Sequence, residues 1–491
     1  MGCSSSSAAG AADPKQAEDN GQTEVRTPAQ ERFPFDWPSG AEHVGYLTER
    51  QVRARLKTQP EHTVDLGQGF TLRWAAASQR GYYPSQADKA NQDAFRVEED
   101  MEGPKKHWFA VYDGHGPVGE KCSRFACEHV AMEFCKQLRS GATKEQAMSR
   151  AHTSTNTALA QSAIDDQQSG TTAVTAYFDG LDLLVSNVGD SRVMLGSVDA
   201  QGKLIHKALS TDQTPYRRDE RERVKACGAR VMTADQIDGV EPIHEDWDCA
   251  LGDEIDDGGD PPRIWAQDQE YPGTAFTRSI GDSLAESLGV MAEPELDHHQ
   301  IKPNDKVLIV ASDGIFEFIT TRGCLDMALL YNNPLEACLA LVGESYDRSY
   351  NALIRAQQLA ELDEVIEYSQ LASIASAAAS RRQQTIRKMW RDRIFIVKRD
   401  VEVWQSLLQV RSLVLPMSEE TEIWLKFAAL NRKQGRERQS RRTLLRLLEY
   451  DPIMCADGTA GFGAGSGRPV VMFAFIKHLW QTGQKRQAFM R

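Results

Sequence analysis

Two aspartates stand where this chain could do chemistry. Phe109-Ala110-Val111-Tyr112 runs straight into Asp113-Gly114-His115-Gly116, and Val307-Leu308-Ile309-Val310-Ala311-Ser312 runs into Asp313-Gly314. Each carboxylate follows an apolar run of the buried-strand type, and the glycine after it lets the backbone turn and approach a ligand closely. Strand ends on one rim of a sandwich converge, so these hard oxygen ligands could share divalent cations such as Mg2+ or Mn2+. Asp-Gly after a strand is also a common turn, and either dipeptide alone would be read that way.

Other segments shift the balance. Asn91-Gln92-Asp93, Ser169-Gly170-Thr171-Thr172-Ala173, Asn187-Val188-Gly189-Asp190-Ser191-Arg192 and Thr277-Arg278-Ser279-Ile280-Gly281-Asp282 accompany the two aspartates. In this order and spacing the set resembles the PPM-type, metal-dependent serine/threonine protein phosphatases, from about Gly67 to Leu341. Gly81-Tyr82-Tyr83-Pro84 and Tyr271-Pro272-Gly273-Thr274-Ala275-Phe276 strengthen the likeness to plant and protist members. The resemblance implies hydrolysis of phosphoserine and phosphothreonine in protein substrates by a dinuclear Mg2+ or Mn2+ site with a metal-bound hydroxide. A phosphate monoester dianion repels nucleophiles, and paired cations both neutralise it and acidify a shared water. By resemblance Asp113 bridges both metals, the Gly114 carbonyl binds one, Asp313 binds the other, and Gln92-Asp93 joins the set. His115 is then the general acid that protonates the departing Ser or Thr oxygen.

The chain departs from the family pattern in three ways. Gln92 stands where many members have Glu, a neutral and weaker ligand. The usual phosphate-binding arginine is missing, and Lys89 nearby could contact phosphate only as a point charge. An aspartate opening the final core strand completes coordination in the family; here no Asp-Asn or Asp-Ile-Thr run before an apolar strand occurs after Tyr346. Activity is therefore expected to be impaired, and the alternative is a pseudophosphatase acting as a membrane-tethered binding module through its tail. Asp165, Asp166, Asp282 and Glu317 are candidates for a third, weaker cation, or equally for solvated and capping carboxylates. The 13 acidic residues of Asp235–Glu270 read as a solvated loop, since they would repel phosphorylated substrates.

The elements positioning these residues are short strands. Trp108–Tyr112, Thr171–Phe178, Leu183–Val188, Arg192–Leu195 and Lys306–Ala311 carry strand patterns, and Val118–Ser140 an amphipathic helix. Asp179-Gly180 and Gly189-Asp190-Ser191 read as turns of antiparallel hairpins. The expected fold is α+β, a four-layer αββα sandwich over residues 42–343 lacking its last strand. Strand signals stop near Gly343. Leu353–Ser369, Arg381–Val397, Val401–Val414, Thr421–Gly435 and Ser440–Leu448 are helical stretches, the last two a helix-turn-helix of the repeat type. Glu361-Leu362-Asp363-Glu364, Val410-Arg411-Ser412-Leu413-Val414, Trp424-Leu425-Lys426-Phe427-Ala428 and Tyr450-Asp451-Pro452 make residues 344–491 resemble part of the FAT region of target-of-rapamycin kinases. No kinase motif follows, so kinase activity is excluded, and the tail is a candidate surface for a protein partner.

Composition agrees with two bodies. The net charge of −13 divides into +9 over residues 351–491 and −22 before them, and the overall sign argues against nucleic acid as the main partner. Nine scattered cysteines without a Cys-x-x-Cys pair fit a reducing, cytoplasmic setting. Residues 1–41 are polar and expected to be disordered. Met1-Gly2-Cys3-Ser4-Ser5-Ser6 fits myristoylation at Gly2 with palmitoylation at Cys3, two chains that would hold the protein at a membrane.

Overall fold

The computed structural model describes residues 55–81, 89–247, 260–454 and 469–490. Gly2, Cys3 and the rest of the expected N-terminal segment lie outside the described residues, as do Tyr82-Tyr83-Pro84 and 248–259 of the acidic stretch.

Strands β1 (Lys57–Gly67) and β2 (Phe70–Ser78) form an antiparallel hairpin. After β3 (Ala94–Glu98), β4 (Lys106–Tyr112) and the two-residue β5 (Gly114–His115) come helices α1 (Gly119–Arg139) and α2 (Lys144–Ala160). Next are β6 (Gly170–Thr171), β7 (Ala173–Asp179), β8 (Asp182–Val188), β9 (Arg192–Val198) and β10 (Leu204–Ala208). A side lobe holds α3 (Arg218–Ala226), β11 (Arg230–Met232), α4 (Ala234–Ile237), β12 (Arg263–Trp265) and β13 (Pro272–Thr274). The chain returns through β14 (Ile280–Gly281), α5 (Ser283–Glu286), β15 (Glu295–Gln300) and β16 (Asp305–Ala311).

One antiparallel sheet has the order β15-β8-β7-β4-β3 and a second the order β10-β9-β16. Side-chain alternation explains how they stack. Tyr177 and Leu184 of the first sheet, with Trp108 and Tyr112, face α1 and α2 and pack on Phe134 and Met148. Their neighbours Val174, Ala176, Phe178, Leu183 and Val185 face the other way, onto Val193, Leu195 and Leu308 of the second sheet and Leu66 of β1. Met194 and Ile309, on the far side of the second sheet, meet Phe316, Ile319 and Leu325. The layers therefore run helix, sheet, sheet, helix, as expected. The hairpin expected at Gly189-Asp190-Ser191 is not formed: β8 and β9 belong to different sheets, so this turn carries the chain across the sandwich. Period-2 alternation alone cannot tell a hairpin from a crossover between layers.

Beyond β16 the chain is helical: α6 (Asp313–Phe316), α7 (Thr321–Ala328), α8 (Pro334–Ala372), α9 (Ala377–Ile396), α10 (Val401–Arg411), α11 (Thr421–Lys433), α12 (Glu437–Leu448), α13 (Pro469–Gln481) and α14 (Lys485–Phe489). Among the described residues no strand follows β16. Helix α8 starts on a capped end, where the Asn333 side chain accepts from the N–H groups of Leu335 and Glu336, and Pro334 fits the first turn. It then runs for 39 residues, about 58 Å at the α-helical rise. Ala337 and Leu341 bury in the sandwich beside Phe316 and Leu325, whereas Tyr350 and Ile354 bury in the tail beside Trp404, Leu407 and Phe427. The boundary expected at 343/344 thus falls inside one helix that serves two cores. Further along, Arg411 makes two bonds of 2.7 and 2.6 Å to buried Glu361, and α12 packs Leu444 and Leu447 on Phe475 and Leu479 of α13.

Candidate active site

The site is assembled at the ends of β4 and β16. Asp113 leaves β4 with its N–H donating to the Thr172 hydroxyl at 3.0 Å, while its carbonyl accepts from the Thr172 N–H at 2.9 Å. That hydroxyl is also 2.7 Å from the Ser191 hydroxyl, so two of the motifs noted in the sequence serve to fix Asp113. Asp313 opens α6 directly after β16, and Ser312 beside it reaches Asp93 at 3.4 Å.

The carboxyl of Asp113 lies within hydrogen-bonding reach of both Asp93 and Asp313. Burial, opposed by the contact with Asp113 and reinforced by the charge of Asp313, pushes the Asp93 carboxyl up to about 6. Burial, then the charges of Asp93 and Asp313, raises Asp113 well above the usual carboxylate range. Asp190, at the crossover between sheets, is raised in the same way by burial and by Asp313. Such crowding is relieved either by protons or by cations, and an all-carboxylate set of hard oxygens suits Mg2+ or Mn2+. Asp93, Asp113 and Asp313, with the adjoining Gly114 carbonyl, can therefore hold divalent cations, Asp113 standing between the other two.

Gly114 and Gly119 show why side chains are kept small here. A Cβ on Gly119 would stand 2.6 Å from the Gly114 carbonyl carbon, so the start of α1 packs directly on the backbone after Asp113. Gln92 serves this loop: its amide donates to the Gly116 carbonyl at 2.8 Å, and its own carbonyl accepts from the Gly114 N–H at 3.2 Å. His115 Nε2 is 2.6 Å from Asp282 Oδ2, and its ring lies against Phe276 at 4.4 Å between centroids. Asp282 is nearly inaccessible and adopts a left-handed φ of 55° at the start of α5.

The four candidates for a third cation are divided between places. Asp282 holds His115. Asp166 accepts from the Ser283 hydroxyl at 3.0 Å, and Asp165 is exposed and accepts from the Gln167 N–H. Glu317 sits instead near Asp313, raised by burial and by that charge. Lys89 lines the same groove as Asp93 and Asp113. Arg278, from the motif that supplies Asp282, is tied into ion pairs with Glu220 at 2.7 Å and Glu295 at 3.2 Å. Among the described residues, Asp219, Glu220 and Glu295 alone bring three acidic ligand atoms within 4.8 Å of one another, and Arg217, Arg223 and Arg278 already neutralise them. Asp190 has turn composition in the sequence, whereas the structure places it where the charge of Asp313 acts on it. The available signal was its pattern, an aspartate just past the apolar run Leu183–Val188, as for Asp113 and Asp313.

Comparison with known proteins separates the two parts of the chain. Residues 85–349 match the Protein phosphatase 2C family and residues 332–491 the FAT domain; the two matches overlap over 332–349, from just before α8 into its first half. The chain is 45% identical over 279 residues to probable protein phosphatase 2C 35 of Arabidopsis thaliana, covering 56% of this chain and 79% of that protein. It is 31% identical over 270 residues to probable protein phosphatase 2C 64 of Oryza sativa subsp. japonica, covering 53% and 58%. Over 185 residues it is 43% identical to the serine/threonine-protein kinase TOR of Arabidopsis thaliana, spanning 36% of this chain but 7% of that kinase. Among solved structures, serine-threonine phosphatase 2C from Toxoplasma gondii aligns at 19% identity with a TM-score of 0.43, covering 53% of this chain and 87% of that one.

Proposed function

We propose that this chain, which belongs to the protein phosphatase 2C family, is a protein serine/threonine phosphatase whose activity depends on Mg2+ or Mn2+ and is weakened by the loss of its last core strand. The observation that carries this reading is the crowding of Asp93, Asp113 and Asp313: burial and the charge of Asp313 raise both Asp93 and Asp113, and the charge of Asp93 raises Asp113 further. Divalent cations held there would neutralise phosphate charge and lower the pKa of water. The chain's own residues do the rest. Lys89 at the groove meets the phosphate as a point charge. His115 carries the proton that the departing Ser or Thr oxygen needs, and Asp282 fixes the imidazole's orientation through its 2.6 Å bond. Gln92 holds the loop that carries both Gly114 and His115, and the Ser123 hydroxyl donates to the Gln92 carbonyl. Weakening follows because no described strand after β16 brings a further carboxylate to the cluster.

The test is phosphopeptide hydrolysis with Mn2+ and with chelator, beside Asp113→Asn. Hydrolysis should need the cation and fall at least about a hundredfold in the variant, as for disruption of a metal shell. Hydrolysis indifferent to both would refute the reading. A binding module without turnover is the second reading, favoured by the same missing strand. Membrane attachment through Gly2 and Cys3 belongs to the proposal too: Gly2→Ala should move the protein to the soluble fraction, and unchanged fractionation would exclude the anchor.

A further inference from the structure

Asp313 stands on a weak element. Helix α6 has only four residues, Asp313–Phe316, and the Ser312 side chain does not cap it. In a helix this short all the carbonyls belong to the set left open at a C-terminus, so their partners must come from elsewhere. The turn that follows supplies some. The Glu317 N–H donates to the Asp313 carbonyl at 2.7 Å, and the Phe318 and Ile319 N–H groups donate to Ile315 at 3.3 and 3.0 Å. Two other carbonyls are taken by side chains of α8. The Ser345 hydroxyl donates to Gly314, and the Arg348 guanidinium donates to Phe318 at 3.1 Å. These two contacts bracket α6, one beside Asp313 and the other just past the last turn.

The two side chains are themselves directed. A serine inside a helix commonly turns its hydroxyl back to the carbonyl one turn earlier. Ser345 is buried and reaches instead across to a segment 31 positions away. Arg348 is steered by Glu344, one turn before it, whose carboxylate accepts from Nε at 3.0 Å. Both residues lie past the change of texture at Gly343, where the resemblance to the FAT region begins. The same turns of α8 are fastened to the tail. Asp347 pairs with Lys398 at 2.8 Å, the Lys398 ammonium lies 4.5 Å from the Tyr350 ring centroid, and the Lys398 N–H donates to the Tyr350 hydroxyl at 2.7 Å. Tyr350 and Ile354 then bury beside Ile394, Val401 and Trp404.

We infer that Ser345 and Arg348 are positioning residues for Asp313: anchored by the tail, they fix the short helix that holds this carboxylate beside Asp113. The consequence for cation binding rests on the reading proposed above; the hold on α6 does not. A carboxylate whose backbone wanders is a poorer ligand, and partners that orient metal ligands typically change affinity by about 10–100-fold.

The test uses the full chain with Ser345→Ala and Arg348→Met combined. Mn2+ binding, read from the electron paramagnetic resonance signal of the free ion, should weaken about 10–100-fold. Asp113→Asn should abolish that binding and so locate the ion. Ser345→Thr keeps the hydroxyl, has room for its methyl in the groove shared with Asp93 and Asp113, and should bind Mn2+ like wild type. In the metal-free protein, amide exchange over Gly314–Ile319 should accelerate about tenfold or more in the double variant, with β16 changed by about twofold or less. Lys398→Met, which alters the tail anchor alone, should weaken Mn2+ about threefold. Unchanged exchange over Gly314–Ile319 would overturn the positioning role. Acceleration that spreads equally through β16 would overturn it too, as the mark of general loosening. Faster exchange with unchanged Mn2+ affinity would overturn the link from α6 to the cations, and an indifferent Lys398→Met would overturn the anchoring by the tail. A wild-type chain that binds no Mn2+ would refute the metal reading, and exchange in the metal-free protein would still decide the hold on α6.

Discussion

Replacing Gly343 tests whether one helix joins the two cores. The residue lies in the interior of α8, nine positions after Pro334, and a Cβ built on it meets nothing within 4 Å. Gly343→Ala therefore neither strains nor buries anything, and it removes the backbone freedom that glycine retains when unfolded. The expected gain is about 0.5–1 kcal/mol. Gly343→Pro acts oppositely at the same place. It lacks the N–H for the Leu339 carbonyl, and its ring clashes with that carbonyl, at a cost of about 3 kcal/mol or more. The two variants should thus differ by about 4 kcal/mol, nearly a thousandfold in the population of the opened helix. Hydrogen exchange read on fragments spanning residues 338–350 measures this directly: alanine should slow exchange about fivefold or less, and proline should accelerate it at least a hundredfold. Urea unfolding should then separate into two transitions in the proline variant, because Leu341 and Tyr350 no longer share a rigid element. A proline variant that exchanges like wild type, or an alanine variant that exchanges faster, would show that α8 is broken at the seam.

Asp282→Asn keeps the shape beside His115 but removes the charge from its 2.6 Å bond; turnover should fall about 10–100-fold with KM little changed, and a pure KM effect would assign Asp282 to substrate binding instead. Glu361→Ala leaves Arg411, itself almost inaccessible, without its carboxylate and should cost about 3–5 kcal/mol, read as a lower urea midpoint for the tail; Glu361→Ala with Arg411→Met should recover most of that loss. His152 on α2 is fully buried, and burial lowers it to about 4, against 6.5 when unfolded. The unfolded chain alone therefore takes up this proton as the pH falls from 6.5 to 4, so stability should drop by up to about 3 kcal/mol across that window and level off below it. His152→Leu should flatten the slope, and a slope unchanged by the substitution would assign it to other groups.

Much of this protein is local in origin and so could be read along the chain. Short apolar runs at Trp108–Tyr112 and Leu183–Val188 specify strands covered on both faces, and near-helical spacing of apolar residues specifies α1. Asp113, Asp313 and His115 were legible because an apolar strand ending in Asp-Gly recurs twice, amid motifs at fixed spacing. What the tertiary structure decided depends on which strand lies beside which. Gly189-Asp190-Ser191 has the composition of a hairpin turn, but β8 and β9 pair in different sheets, and that crossover places half-buried Asp190 near Asp313. The seam is a similar case. Two sequence textures meet at Gly343, yet helical hydrogen bonds span only four residues and register no change of ancestry, so α8 continues through it and carries side chains into both cores. Strand patterns stop in the sequence near Gly343, and among the described residues no strand follows β16. What lies beside β16 is a matter of long-range packing: helix α8 reaches the loop after β16, and among the described residues β16 pairs with β9 alone.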